Sequence, residues 1–227
     1  MSNSTTPAQL SVTPIDTSFG AYVSGIDLRN LDAVMFAELY RVWLQYALLV
    51  FPGQHLNKAE QIAFARRFGA LEFELAPLRN VRDDGSLRDE AQNDDMMKIL
   101  KGNMGWHCDS TYMPVQAKGA VFSAHVVPRS GGATGWADMR AAYDALDRAT
   151  RQQIGGLSAY HSLYYSQAKV GGTASGDGSY SNYGLDNQAP SLRPLVKLHP
   201  ETGRPALAVG RHAYGIPGLT EQHPSNY

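Results

Sequence analysis

Gly102-Asn103-Met104-Gly105-Trp106-His107-Cys108-Asp109-Ser110-Thr111-Tyr112 is the stretch on which the reading of this chain turns. His107 and Asp109 stand two residues apart. On a β-strand alternate side chains share a face, so imidazole and carboxylate are expected side by side, with Cys108 turned away. The two make up two thirds of a two-His-one-carboxylate facial triad, which holds Fe(II) and leaves positions open for oxygen and substrate. Spacing alone is weak evidence. With seven His and fourteen Asp in 227 residues, chance supplies roughly 0.4 such pairs, the background of any short motif. Two polar residues on a surface strand are the plain alternative. The context argues for more, because the approach is Gly-rich and Pro114 and a long apolar stretch follow. A His and a carboxylate buried together need a partner or a metal, since an unpaired charge is costly to bury.

The rest of the chain sets bounds on that site. Its length suits one large domain, or at most two, with a sizeable core. The apolar share of 43% and charged share of 18% are ordinary for a globular protein. A net charge of −1 gives no electrostatic case for nucleic acid or an anionic membrane as partner. The longest apolar run, Ala47 to Phe51, is strand length and far short of the ~18–20 residues that a membrane span needs. Met1 to Thr6 lacks the basic and apolar regions of a secretory signal. A single cysteine excludes an internal disulfide framework and suits a reducing compartment. The composition therefore reads as a soluble, cytoplasmic protein.

Residues 1–9 read as a flexible N-terminus. Strands are expected at Leu10 to Pro14 and Ala21 to Leu28, with a turn at Gly20. Asp32 is placed to cap a helix reaching Tyr46, with Met35, Leu39, Val42 and Trp43 at helical spacing. A strand over Ala47 to Phe51 stops at Pro52-Gly53, and Asn57 with Glu60 three residues on opens a second helix ending at Gly69. A hairpin around Asp84-Gly85 and a helix or lid from Asp94 to Lys101 come next. Strands are then expected over 104–112, 119–127 and 134–138, a helix from Met139 to Ile154, and a strand from Leu157 to Tyr165. Residues 166–190, rich in Gly, Ser and Asn, form either an active-site lid or a mobile loop. A hairpin is expected over Leu195 to Val209. Many strands with helices concentrated early suggest an α+β domain built as a distorted jelly roll, that is, a double-stranded β-helix with flanking helices.

The sequence resembles one family along nearly its whole length. Trp106 to Tyr112 is similar to the metal-binding strand of the Fe(II)/2-oxoglutarate dioxygenases of the taurine and 2,4-dichlorophenoxyacetate dioxygenase family. Gly20 to Leu28 resembles its N-terminal strand, and Leu49 to Gln54 with Phe64 to Gly69 its first strand–helix pair. Gly131-Gly132-Ala133-Thr134-Gly135-Trp136-Ala137-Asp138-Met139 resembles the segment bearing its cosubstrate threonine, and Leu198 to Arg204 its late hairpin. Met96-Met97-Lys98, Gly102-Asn103-Met104 and Gly210-Arg211-His212 bring it nearest the (S)-2-phenoxypropionate dioxygenase branch.

The resemblance implies Fe(II) as cofactor, 2-oxoglutarate and O2 as cosubstrates, and His107 and Asp109 as metal ligands. It makes Thr134 a hydrogen-bonding partner of a 2-oxoglutarate carboxylate; a strand-end Thr in a Gly turn is the alternative. Asn103 falls where relatives approach the organic substrate, though a backbone cap suits it equally. Arg211 and His212 become candidate anchors for a substrate carboxylate, since Arg presents a fork of donors to two oxygens; a solvated hairpin end is the alternative. Arg193 stands where many relatives have His. Cys108 is expected to pack as a small apolar group. The implied reaction is oxidation of a small carboxylate, such as a phenoxyalkanoate, with hydroxylation next to the ether oxygen and release of a phenol.

The family completes its triad with a distal His and, roughly ten residues on, an Arg that grips 2-oxoglutarate through paired hydrogen bonds. Neither motif occurs here. The expectation is a C-terminally truncated, incomplete dioxygenase domain over 10–221 that lacks its last strands, with an atypical tail over 222–227 that suggests a frameshift. Two protein ligands hold a divalent ion weakly, so an inactive remnant or ligand-binding subunit is the competing reading. Exposed strand edges would favour a homo-oligomer. A zinc hydrolase is the third reading and needs three protein ligands with an open position, yet no His pair has helical metal spacing.

Overall fold

The computed structural model describes residues 9–15, 17–88, 95–169 and 189–219. The chain divides into two compact units. The first comprises residues 1–75, 119–141 and 200–203, and the second residues 76–118, 142–199 and 204–227.

In the first unit β1 (Ser11–Pro14) pairs antiparallel with β2 (Ala21–Ser24), and β2 pairs in parallel with β3 (Leu49–Val50). β2 alternates as a half-buried strand should, with Ala21 and Val23 inside and Tyr22 outside. It stops short of the expected Leu28 because Gly25 turns the chain at φ 78°, where a Cβ would collide with the Gln9 carbonyl. α1 (Ala33–Tyr46) opens on Asp32, whose carboxylate accepts from the Met35 amide at 2.7 Å. α2 (Lys58–Arg66) opens on a full Asn57/Glu60 capping box. Val23, Ile26, Leu28, Leu39, Leu56 and Phe64 form the core that these elements enclose.

The strands expected over 119–127 and 134–138 are absent: these residues run irregularly. Their β-branched and aromatic composition suits a strand, but a strand also needs a ladder partner, and none pairs with them among the described residues. Val126 is accordingly 92% exposed.

The helix expected from Met139 to Ile154 divides into α4 (Met139–Asp144) and α5 (Arg148–Ile154), because Asp147 leaves the helix to cap the second. In the second unit α3 (Asp95–Asn103) answers the expected helix, and a Val81–Leu87 bridge the expected hairpin. Its sheet has β4 (Ser158–His161) between β5 (Ser191–Pro194) and β8 (Ala213–Tyr214), both antiparallel to it. The strand expected to reach Tyr165 ends at His161, since the Ser162 hydroxyl caps α6 (Leu163–Ala168). The expected loop therefore begins within a helix, and residues 170–188 lie outside the described residues. The late hairpin is β6 (Val196–Leu198) with β7 (Pro205–Leu207). Small sheets with interspersed helices make the protein α+β.

Candidate active site

The metal strand expected over 104–112 is not a strand. At the end of α3 the chain turns through Gly102 to Gly105, runs through His107 and Cys108 with no ladder partner among the described residues, and turns again at Asp109-Ser110. A backbone bond from the Arg211 amide to the Trp106 carbonyl, 2.9 Å long, holds this run. Ser110 is buried with φ 58°, a left-handed conformation unusual for a residue with a Cβ, and it folds the chain back immediately after Asp109. His107 and Asp109 still meet, brought together by this turn rather than by strand alternation. His107 Nε2 and Asp109 Oδ1 are 3.3 Å apart, with side-chain exposures of 22% and 72%.

The proton positions at this pair follow from its partners. His107 Nδ1 lies 2.6 Å from the Gly105 carbonyl, which can only accept, so Nδ1 carries the hydrogen. A neutral His107 then presents the Nε2 lone pair to a carboxylate oxygen, two acceptors facing each other. A cation between them removes the conflict. With a proton as that cation, Asp109 raises the His107 pKa above its ordinary value and His107 lowers that of Asp109. A divalent metal is the other solution. At ligand bonds of about 2.0–2.2 Å, two donors at a right angle sit about 3 Å apart, close to the observed separation. A second ring nitrogen tied to a backbone carbonyl is also how metal-bound histidines are commonly oriented. The pair thus fits a divalent cation. Among the described residues no group of three His, Cys, Asp or Glu side chains is placed to hold a metal.

His212 stands beside the pair, edge-on to the His107 ring at 5.5 Å and to Tyr112 at 4.9 Å. It is 4% exposed, and burial, reinforced by Arg211 and His107, pushes its pKa down to about 3, so it is neutral. Its Nδ1 is 2.8 Å from Ser166 Oγ, which itself lies 2.7 Å from the Leu163 carbonyl. Arg211 donates from its guanidinium to Asn103 Oδ1 at 3.2 Å and to the Ser166 carbonyl at 3.3 Å. Asn103 and Arg211, read from the sequence as separate substrate contacts, are therefore partners of each other. Thr134 lies exposed in the irregular segment of the first unit. Cys108 is exposed, and its sulfur accepts from the Gln116 amide at 3.5 Å rather than packing as an apolar group.

Other residues of this region are not marked as part of the site by the sequence, although Arg193 stands where many relatives have His. Arg193 on β5 donates to the carbonyls of Thr111 (3.0 Å), Met113 and Pro114 (3.3 Å), and Ser191 Oγ donates to that of Tyr112 (2.9 Å). These bonds buttress the segment that follows Asp109. His161, in the central strand, is 2% exposed and neither ring nitrogen has a partner among the described residues; burial, with Arg193 nearby, pushes its pKa down to about 4.

An α+β protein carrying a His-x-Asp pair that accommodates a divalent cation defines a class, and comparison with known proteins narrows it. Residues 11–226 match the family described as taurine catabolism dioxygenase TauD, TfdA family. The (S)-phenoxypropionate/alpha-ketoglutarate-dioxygenase of Sphingobium herbicidovorans is 64% identical over 209 residues, covering 92% of this chain and 73% of the relative. That of Delftia acidovorans is 56% identical, covering 92% and 74%. A solved structure, AAD-2 in complex with Mn(II) and N-oxalylglycine, superposes with a TM-score of 0.83 at 36% identity, covering 93% of this chain and 75% of that one. The chain belongs to the TauD/TfdA dioxygenase family and has its fold. These relatives favour the dioxygenase reading over an inactive remnant.

Proposed function

We propose that this chain is an Fe(II)- and 2-oxoglutarate-dependent dioxygenase that hydroxylates a 2-aryloxypropionate at the carbon bearing the ether oxygen. The reading rests on one observation, the 3.3 Å approach of His107 Nε2 to Asp109 Oδ1 with Nδ1 engaged by Gly105, in a chain 64% identical to an (S)-phenoxypropionate dioxygenase. We further propose a jelly-roll core and a cytoplasmic location.

In this reading His107 and Asp109 hold the metal, and Thr134 donates a hydrogen bond to a 2-oxoglutarate carboxylate. When bound, Fe(II) with 2-oxoglutarate and O2 supplies the oxidation: one oxygen atom enters a substrate C–H bond and the other leaves in succinate, with loss of CO2. The protein's part is to orient and to exclude water. The Gly105 carbonyl keeps the imidazole in one tautomer, and the neutral, buried His212 adds no positive charge beside the metal. Asn103, Arg211 and His212 form the wall next to the pair and face the organic substrate. Arg211 draws a carboxylate through its charge while two of its nitrogens stay engaged. The hydroxylated product is a hemiketal, which collapses to a phenol and a 2-oxo acid.

Purified protein supplied with Fe(II), O2, 2-oxoglutarate and (S)-2-phenoxypropionate is expected to form phenol and succinate in equal amounts, and neither without 2-oxoglutarate. Phenol release indifferent to 2-oxoglutarate, or none in the complete mixture, contradicts the reading.

A further inference from the structure

We propose that Gly210 and Arg211 are positioning residues for the metal site, acting on His107 through its backbone. The inference rests on the reading of His107 as a metal ligand. Gly210 does not sit in the left-handed region, so its φ is not what calls for glycine. What it lacks is room. A Cβ there would stand 3.1 Å from His107 Cα and 3.2 Å from the Trp106 carbonyl oxygen, backbone atoms that cannot swing aside. Directly after this contact the Arg211 amide donates to that same Trp106 carbonyl at 2.9 Å, and the Ala213 amide closes the turn onto the Gly210 carbonyl at 2.9 Å. The turn is therefore pressed against the backbone of His107 and hydrogen-bonded to the residue before it.

The turn is anchored in its own right. The Arg211 guanidinium reaches Asn103 at the end of α3 and the Ser166 carbonyl in α6, while Ser166 Oγ meets His212 Nδ1. Two helices thus fix the turn, and the turn fixes His107. This matters because residues 106–108 have no ladder partner among the described residues, and their other contacts are made by side chains. A side chain at position 210 would push the His107 backbone by a few tenths of an ångström. That uses up much of the about 0.5 Å within which a metal site must be held, and losing a supporting contact typically costs about 10- to 100-fold in metal affinity.

Arg211 also supplies a test that separates position from charge. Its cation opposes binding of a second cation nearby, so Arg211→Met should tighten metal binding if charge alone matters. If Arg211 acts as an anchor, the same substitution should weaken it.

The experiment is a Co(II) titration of the 227-residue protein followed by visible absorption, with unfolding of the metal-free protein followed by circular dichroism. Gly210→Ala and Arg211→Met are each expected to bind Co(II) about tenfold more weakly, Gly210→Val more weakly still, with metal-free melting of the Ala and Met variants close to wild type. Wild-type affinity in Gly210→Ala, or wild-type or tighter binding in Arg211→Met, overturns the proposal. Should Gly210→Ala not fold, Arg211→Met decides alone. Co(II) binding by His107→Ala as tight as by wild type instead overturns the ligand assignment beneath, a separate result.

Discussion

In the first unit the interior is chiefly hydrocarbon: Val23, Ile26, Leu28, Leu39, Leu56 and Phe64 close on one another, Phe68 meets Phe64 edge to face, and Phe36 and Trp43 meet Phe68 in the same way. The second unit buries Ser110, Thr111, His161, Ser166, Gln167 and His212 beside only a few apolar side chains. Burial of hydrocarbon is non-directional and tolerant of small shifts. Burial of polar groups is worthwhile only where donors and acceptors meet in fixed geometry. The unit that holds His107 and Asp109 has taken the second course: its buried side chains are held by directed bonds, and some, such as both nitrogens of His161, have no partner among the described residues.

The sharpest contrast is expected from the hydrocarbon side. Phe64→Ala removes a ring packed against Phe51 and Phe68, and should lower unfolding free energy in urea by about 3–5 kcal/mol. Next in size is a pH effect confined to the polar unit. His161 has its pKa lowered to about 4 and His212 to about 3, against an ordinary 6.5. Between those values the unfolded chain binds more protons than the folded one, so stability is full above pH 6.5 and falls as the pH drops. For His161 alone the loss by pH 4 is about 3 kcal/mol, and His161→Leu should flatten that limb in urea melts run across pH 4–7. His107, with its pKa raised, acts in the opposite sense but is partly solvated.

Smaller again, Ser166→Ala strands the buried His212 Nδ1 and should cost about 1–3 kcal/mol in thermal melts. A loss near zero would mean that the buried polar groups are not the framework. Asn57→Ala, which opens the α2 capping box, should cost about 1 kcal/mol and leave metal binding unchanged.

The same contrast explains what could be read in advance. α1 and α2 were legible because apolar spacing and side-chain caps act within a few residues: Asp32 reaches Met35, and Asn57 reaches Glu60. The half-buried β2 and the β6–β7 hairpin were legible for the same local reason. The strands expected over 104–112, 119–127 and 134–138 failed because pairing is a property of a neighbour, which composition does not disclose. α6 was hidden because Ser162 looked like the interior of a strand, yet its hydroxyl opens a helix. At the site, the co-facing of His107 and Asp109 was legible although its cause is a turn. The Asn103–Arg211 bond joins residues 108 positions apart, and the close approach of Gly210 to His107 depends on a Cβ that is absent, so neither leaves a local pattern.

The account stands or falls on His107 and Asp109 sharing one cation. Mn(II) titration of the protein followed by electron paramagnetic resonance, with 2-oxoglutarate present, tests this most directly. The account predicts one bound Mn(II) per chain, with affinity falling at least about 100-fold in both His107→Ala and Asp109→Ala. Binding of Mn(II) by both variants as tightly as by wild type would contradict it.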